Sequence, residues 1–181
     1  VMEPLLGGGL VNPPESIREV FADSPYPERA PVEWALQWLW NRPEIATVLS
    51  GMGAMSQVEE NLACASRSGI GTLSEDELET ISDAAYAFRQ LNSIPCTRCG
   101  YCMPCPNGVD IPRNFEMYNN MHIFKGNQEF LNRTIYINFM AKEARADKCT
   151  FCKECLPKCP QGIKIPELMP RVHEDLSRPL G

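Results

Sequence analysis

The first long helix of the chain is predicted by apolar residues that recur every three or four positions. Val32, Leu36 and Leu39 follow this spacing. Pro31 precedes them and suits the first position of a helix, where its missing N–H costs nothing. Pro43 disfavours helical backbone in the residue before it. The pattern therefore predicts a helix that begins at Pro31 and ends before Pro43.

Two further helices are predicted by a capping pattern, in which a serine is followed three residues later by a glutamate. Ser56 and Glu59 make the first pair, and Ser74 and Glu77 make the second. Each pair precedes apolar residues at helical spacing, and the second helix extends to about Phe88.

Short apolar runs at residues 1–5 and 45–49 predict two strands. Strands that alternate with helices pair in parallel. Because parallel sheets are covered on both faces, two such strands do not form a stable sheet alone. Residues 1–90 are therefore predicted to be the end of a larger α/β domain or to be completed by another chain. Exposed strand edges would favour self-association, or rearrangement of residues 1–50.

The second half of the chain has a different pattern, and it contains no predicted strand. Residues 93–95 resemble a linker, and residues 115–124 and 128–146 are predicted helices. Pro166 begins a last helix, which Pro170 would interrupt. Residues 91–181 are therefore predicted to form a separate, all-α domain.

Composition narrows the classes of protein. The 181 residues suffice for one or two domains, and a net charge of −6 argues against nucleic-acid binding. No apolar run is long enough to cross a membrane, and the N-terminus lacks the pattern of a signal peptide. Thiolates persist in a reducing compartment, so we expect this chain with nine cysteines to be cytoplasmic. Because the chain begins with Val1, we expect it to be part of a longer protein.

Cysteine is the most informative residue type. The chain has nine cysteines, and eight of them lie in two runs. The first run comprises Cys96, Cys99, Cys102 and Cys105, and the second comprises Cys149, Cys152, Cys155 and Cys159. The last cysteine of each run is followed by Pro, then by a Gly two residues later and an Ile-Pro pair, so that the chain contains an internal repeat. The repeat predicts a module with two equivalent sites.

This spacing is typical of iron–sulfur clusters. Three cysteines at two-residue intervals bind three corners of a cubane, and the cysteine before Pro reaches the neighbouring cluster. We therefore expect two [4Fe-4S] clusters. Their predicted ligands are Cys96, Cys99, Cys102 and Cys159 for one cluster, and Cys149, Cys152, Cys155 and Cys105 for the other.

Two other uses of the cysteines stay open. Eight thiolates would hold two structural zinc ions, although zinc sites usually comprise two separated pairs. A disulfide framework is typical of secreted proteins, and nothing marks this chain as secreted. Cys105 also departs from the usual pattern, because two residues precede it where three are usual. Without it, the second site would hold a three-iron cluster or take an outside ligand.

The two cysteine runs resemble those of ferredoxin modules. Because 43 residues with helical patterns separate Cys105 from Cys149, the region is more similar to the α-helical ferredoxins in subunits of respiratory and methanogenic oxidoreductases. The resemblance implies electron transfer between a redox partner or donor and another cofactor.

Residues 1–88 resemble the C-terminal end of an aldo/keto reductase, a (β/α)8 barrel. The resembling segments are Glu3-Pro4-Leu5-Leu6-Gly7-Gly8, Pro31-Val32-Glu33-Trp34-Ala35-Leu36-Gln37-Trp38, Val48-Leu49-Ser50-Gly51-Met52 and Glu59-Glu60-Asn61. They are similar to the end of the seventh strand, the seventh helix, the eighth strand and the start of the eighth helix. The resemblance implies NAD(P) binding in the full-length protein. It places the pyrophosphate beside Leu5 and Gly7, the adenosine ribose beside Gly51 and Met52, and the adenine beside Glu60 and Asn61.

Three departures limit what this resemblance implies. NADP-binding members carry Lys where Gly51 lies and Arg where Gln57 lies, so the chain favours NAD or a reduced role for nicotinamide. Glu3 replaces a small Ser and would place negative charge near the phosphates. The catalytic Asp, Tyr, Lys and His of the family come from earlier strands, and the chain has none of those positions. By itself it would not catalyse aldo/keto reduction.

The predicted fold is mainly α with a small α/β part: the last two βα units of an aldo/keto reductase-like barrel, then an all-α helical ferredoxin domain with two cluster sites. The predicted function is that of an iron–sulfur oxidoreductase, whose clusters relay single electrons to or from a site in the barrel. Two alternatives remain. One is a stand-alone electron carrier, and the other is a pair of purely structural clusters.

Overall fold

The computed structural model describes residues 1–124 and 126–179, and the chain divides into two compact units, Val1–Gln90 and Leu91–Gly181. The described residues are mainly helical, as the sequence predicts. The first unit contains the helices α1 (Glu15–Ala22), α2 (Pro31–Trp40), α3 (Met55–Ser66) and α4 (Glu75–Gln90).

The start of α4 confirms one predicted capping pair. The Ser74 N–H donates to Glu77 Oε2 at 2.6 Å, and the Glu77 N–H donates to Ser74 Oγ at 3.3 Å. The other predicted pair is wrong. Helix α3 begins two residues earlier than the pattern required, and the Gln57 side chain accepts hydrogen bonds from the N–H groups of Gly53 and Ala54. Ser56 therefore lies inside the helix.

The two predicted strands do not form. Within residues 1–124 and 126–179, the only β pairing is an isolated parallel bridge between Met2 and Leu49. The Leu49 N–H donates to the Val1 carbonyl at 2.9 Å, and the Val1 ammonium donates to the Thr47 carbonyl at 2.7 Å. A parallel pair without neighbouring strands or a covering layer has too few hydrogen bonds and too little buried surface to extend. The barrel part of the predicted fold is therefore not shown.

Helix α1 has no counterpart among the sequence predictions. Its Ile17 is fully buried, and Phe21 stacks on the buried Trp34 with 5.5 Å between ring centroids. Isoleucine and phenylalanine four residues apart after Pro13-Pro14 are the signal that could have revealed it.

The second unit contains α5 (Ile111–Ile123), α6 (Asn127–Thr134) and α7 (Ile165–Ser177). The single helix predicted over 128–146 is wrong, because α6 passes into a π-helical turn (Ile135–Phe139) and two 3-10 turns (Lys142–Ala144 and Ala146–Lys148). The predicted interruption of the last helix is also wrong, since Pro170 lies inside α7. Its missing N–H leaves only the Pro166 carbonyl without an intrahelical donor.

The core of the second unit lies between α5, α7 and the turns that precede the second cysteine run. The largest fully buried apolar side chains are Tyr118, Tyr136, Phe115, Met117, Met169, Leu176, Val109 and Val172. Cysteines of both runs pack in or against this core, whereas Cys99 and Cys152 are exposed. The helices therefore provide a rigid base on which both cysteine loops lie.

Candidate metal centre

The two cysteine loops have the same backbone conformation. Arg98 and Phe151, each immediately before the second cysteine of its run, have φ angles of 56° and 57°. Gly100 and Lys153, each immediately after that cysteine, have φ angles of 77° and 65°. A left-handed conformation costs a residue other than glycine about 1–2 kcal/mol. Three of these four residues bear that cost, so the surrounding contacts hold both loops in one curled shape.

The repeat continues beyond the loops. Gly108 and Gly162 follow the two Cys-Pro pairs, with φ angles of 79° and 64°. A helix then begins at each Ile-Pro pair, which gives α5 at Ile111 and α7 at Ile165. The duplicated sequence is therefore a duplicated structure.

The first group of cysteines lines one cavity. Its members come from both runs: Cys96, Cys99, Cys102 and Cys159. Buried apolar side chains of Ile111, Phe115 and Ile163 also line it. No charged side chain is among the described residues that line this cavity.

The second group of cysteines lines another cavity. Its members again come from both runs: Cys105, Cys149, Cys152 and Cys155. Cys102, a member of the first group, also borders it. Cys105 reaches this cavity despite its shorter spacing. Lys153, Glu154 and Lys158 line the same cavity, so its charge differs from that of the first.

Protonated thiols are favoured at these positions when no cation is bound. Burial raises the pKa of Cys102 to about 11, and neighbouring cysteines of its group add to this effect. Burial also raises the pKa of Cys96, against a hydrogen bond from the Arg98 N–H. Burial likewise raises the pKa of Cys155, with Cys149, Cys152 and Cys105 as neighbours. Bound metal supplies the positive charge that such thiolates need, and its binding releases their protons. The donor set therefore fits a metal centre held by thiolates.

Among the described residues, no three His, Cys, Asp or Glu side chains converge on one ion-sized position. In a cubane each thiolate binds a different iron, so its four cysteines do not need to converge on one point. All nine cysteines are free thiols.

A buried asparagine fixes the segment that leads into the first loop. The Ile94 N–H donates to Asn119 Oδ1 at 3.0 Å, and Asn119 Nδ2 donates to the Ile94 carbonyl at 2.8 Å. Asn119 is 5% exposed, and Ile94 lies two residues before Cys96. These two bonds therefore set the position at which the first cysteine leaves the core.

A buried tyrosine plays the corresponding part before the second loop. The Tyr136 hydroxyl accepts from the Ala146 N–H at 3.2 Å and lies 2.7 Å from His173 Nδ1. Ala146 begins the 3-10 turn that ends immediately before Cys149. Burial raises the pKa of Tyr136 to about 12, so the hydroxyl remains protonated.

An ion pair holds the side of the first loop. Glu116 on α5 binds Arg98 of the loop, and it also accepts from Arg113 at 2.8 Å. The Glu116 side chain is only 20% exposed. The guanidinium of Arg98 therefore faces a carboxylate rather than standing alone beside the cysteines.

The sequence analysis did not find Asn119, Tyr136 or Glu116 as positioning residues. A signal for Asn119 was present, because it lies on the stripe of α5 that carries Phe115, Met117 and Tyr118. A polar residue on a buried helix face needs hydrogen-bond partners. No pattern in the sequence indicates that the partner is Ile94.

The six residues predicted to contact a nucleotide line one cavity of about 490 Å³ in the first unit. They are Leu5, Gly7, Gly51, Met52, Glu60 and Asn61. Among the described residues that line it, Glu3 and Glu60 are charged and no Lys or Arg is present. The Gly8 N–H is already used in a hydrogen bond to the Leu5 carbonyl at 3.0 Å. This charge and this bond both oppose the binding of a pyrophosphate.

Cys64 lies outside both cysteine groups, on α3 of the first unit. It is 4% exposed, and burial raises the pKa of its thiol to about 11. This agrees with the structural role expected for a cysteine on a buried helix face.

In the part of the chain that the structure describes, no helix is long and apolar enough to span a bilayer.

Comparison with known proteins supports the interpretation of the cysteines. Residues 95–163 match the family model of a 4Fe-4S dicluster domain, and this segment contains both runs. No curated protein and no solved structure gave a significant match. These comparisons give no support to the aldo/keto reductase resemblance of the first unit. The duplicated loops and the family match lead to the same conclusion, that residues 95–163 form a 4Fe-4S dicluster domain.

Proposed function

We propose that the second unit is an electron-transfer module with two [4Fe-4S] clusters bound through crossed ligands. Cys96, Cys99 and Cys102 hold one cluster with Cys159, and Cys149, Cys152 and Cys155 hold the other with Cys105. The observation that carries this proposal is the grouping of the cysteines. The first cavity is lined by three cysteines of the first run and by Cys159, and the second by three cysteines of the second run and by Cys105, with Cys102 bordering both cavities.

Clusters of this type accept and release one electron at a time. The protein supplies the ligand positions and the surroundings. Both loops are curled through the left-handed backbone of residues such as Arg98 and Phe151. Apolar walls formed by Phe115 and Ile163 restrict water at the first site. Such walls help to set the potential, which depends on solvent exposure.

A redox partner would approach at the exposed side of the loops. Cys99 and Cys152 are exposed, and so are Tyr101 (67%) and Phe151 (48%) within the loops. The second unit carries 12 Lys and Arg against 9 Asp and Glu, whereas the whole chain is acidic. This balance favours an acidic partner protein over a basic one.

Metal and sulfide analysis tests the ligand assignment. Protein purified without oxygen is expected to contain about eight iron and eight sulfide per chain. Cys105→Ala is expected to lose iron from one cluster only, and Cys64→Ala is the matched control that keeps the full content. Zinc without sulfide in the unaltered protein would overturn the proposal.

A redox titration separates electron transfer from a structural role. We expect both clusters to be reduced within the range of about −700 to +450 mV known for such centres, with an EPR signal that appears on reduction. Clusters that stay in one oxidation state across this range would be structural, and the electron-transfer proposal would be withdrawn.

The nucleotide cavity supports a second candidate function, which is NAD binding by the first unit. The gathering of all six predicted residues in one cavity favours it, although the carboxylates of Glu3 and Glu60 predict weak binding. NADH should bind more tightly than NADPH, whose extra phosphate adds repulsion. A fluorescence titration tests this, with Asn61→Ala expected to weaken binding and Asn12→Ala, outside the cavity, as the control. If neither nucleotide binds, this candidate is excluded for the chain.

Self-association of the first unit stays a prediction. The bridge between Met2 and Leu49 leaves both segments with unpaired backbone groups that a second copy would pair. Light scattering on the full chain tests it, and a monomer at all concentrations would contradict it.

A further inference from the structure

The two cysteine sites share a backbone but differ in one side-chain hydrogen bond. Asn107 Nδ2 donates to Cys152 Sγ at 3.7 Å. Asn107 lies two residues after Cys105, in a turn closed by a 3.0 Å bond from the Gly108 N–H to the Cys105 carbonyl. Asn107 therefore follows Cys105, one cysteine of the second group, and its amide reaches Cys152, another cysteine of the same group.

The equivalent residue at the first site makes no such bond. Gln161 occupies the corresponding position after Cys159 and lines the first cavity. In the described structure its side chain is exposed and has no hydrogen bond to a sulfur. Asparagine and glutamine differ by one methylene, so the repeat itself provides an internal comparison.

The charge of the residues that line the two cavities also differs. Lys153 and Lys158 line the second cavity, and among the described residues neither has an ion pair within 4.0 Å. Glu154 lines it too and offsets one of these charges. The first loop has a cation at a different position, Arg98, which does not line the first cavity and is paired with Glu116.

A hydrogen-bond donor or a cation near a cluster favours its reduced form, because reduction adds negative charge that spreads onto the sulfurs. The backbone donors are common to both sites, since the loops have the same conformation. The Asn107 amide and the net positive charge of the lining are present only at the second site. Both differences raise the potential of the second site relative to the first.

We infer that Asn107 is a tuning residue, which gives the site formed by Cys105, Cys149, Cys152 and Cys155 the higher reduction potential. In protein that has accepted one electron, that electron then resides at the Asn107 side of the module. This inference rests on the proposed function, since it requires both clusters to be present.

Potentiometry of Asn107 variants tests this role. Each cluster takes one electron from dithionite in an EPR-monitored titration of the full chain. Asn107→Leu removes the donor at nearly constant volume. We expect it to lower the equilibrium constant for reduction of one cluster about tenfold, which lowers the potential of that cluster by about 59 mV. Asn107→Asp keeps the shape and places an acceptor beside the sulfur, so it should lower the same potential further. Gln161→Leu is the matched control and should leave both potentials unchanged.

The outcomes distinguish the two proposals. Cys99→Ser, at the other site, identifies which EPR signal belongs to which cluster. If neither Asn107→Leu nor Asn107→Asp changes either potential relative to the unaltered protein, the tuning role is wrong. The electron-transfer proposal then still stands. If the unaltered protein contains no iron and sulfide, the proposed function itself fails. Should Asn107→Leu lose its iron, the isosteric Asp variant still decides the question.

Discussion

Asn119 and Ile94 are joined by two hydrogen bonds, of 3.0 and 2.8 Å, through which a buried side-chain amide pairs with the backbone as a second strand would. The pairing fixes a segment that has no helix or strand of its own. Because Cys96 follows two residues later, the geometry of the first cysteine site depends on this amide.

Asn119→Leu removes both bonds at nearly constant volume. It leaves the N–H and the carbonyl of Ile94 buried without partners, and we expect a loss of about 2 kcal/mol in the free energy of unfolding. Hydrogen exchange at the Ile94 amide should become faster than in the unaltered protein. Asn120→Ala, on the neighbouring and less buried position of α5, is the control, and equal exchange rates in the two variants would contradict the anchoring role.

Gly108 and Gly162 offer a matched pair of substitutions. Alanine at either position bears the cost of a left-handed backbone, about 1–2 kcal/mol. At Gly108 the new methyl would also lie 3.4 Å from the Glu143 carbonyl oxygen, whereas at Gly162 nothing lies within 4 Å. Because 3.4 Å is an ordinary van der Waals contact, we expect both variants to lower the thermal unfolding temperature by similar amounts. A much larger loss for Gly108→Ala would show that the Glu143 carbonyl does not accommodate the methyl.

Glu77 is expected to stabilise the first unit in a pH-dependent way. Burial alone would raise its pKa, but hydrogen bonds from Ser74 and the ion pair with Arg29 lower it overall. A lowered pKa in the folded state means that the stabilisation is present above the unfolded value of 4.5 and is lost as the pH falls below it.

Glu77→Gln tests this dependence, because the neutral amide removes the charge. The variant should unfold at lower urea than the unaltered protein at pH 7, and the difference should shrink below about pH 4.5. Tryptophan fluorescence reports the first unit alone, since Trp34, Trp38 and Trp40 all lie on α2. Glu79→Gln, on the same helix, is the control. A difference independent of pH would contradict the assignment.

Cys64 should react slowly with alkylating reagents, and its reaction should keep accelerating at alkaline pH. The thiolate is the reactive form, and a pKa of about 11 makes its fraction rise about tenfold between pH 9 and 10. An ordinary thiol in a short reference peptide levels off near pH 9. Iodoacetamide labelling followed by peptide mass spectrometry measures both rates, and a plateau of the Cys64 rate near pH 9 would show that burial does not govern this thiol.

Local patterns in the sequence predicted local structure well. The Ser74–Glu77 capping pair forms as expected because its two hydrogen bonds join residues three apart, which the helix itself brings together. Pro31 begins α2 for the same kind of reason. The predicted strands at residues 1–5 and 45–49 failed because a parallel strand takes its stability from neighbours distant in sequence. The six predicted nucleotide contacts share a cavity, but their role stays a proposal.

The sequence by itself determined that two cysteine runs repeat and that a helix follows each repeat, since spacing, Pro and Gly act over a few bonds. Only the tertiary structure decided which cavity each cysteine faces, that Asn119 holds Ile94, and that Asn107 reaches Cys152 across 45 residues of sequence. These relationships depend on how α5 and α7 pack around one core. Packing is a property of many side chains at once, and no single interval in the chain encodes it.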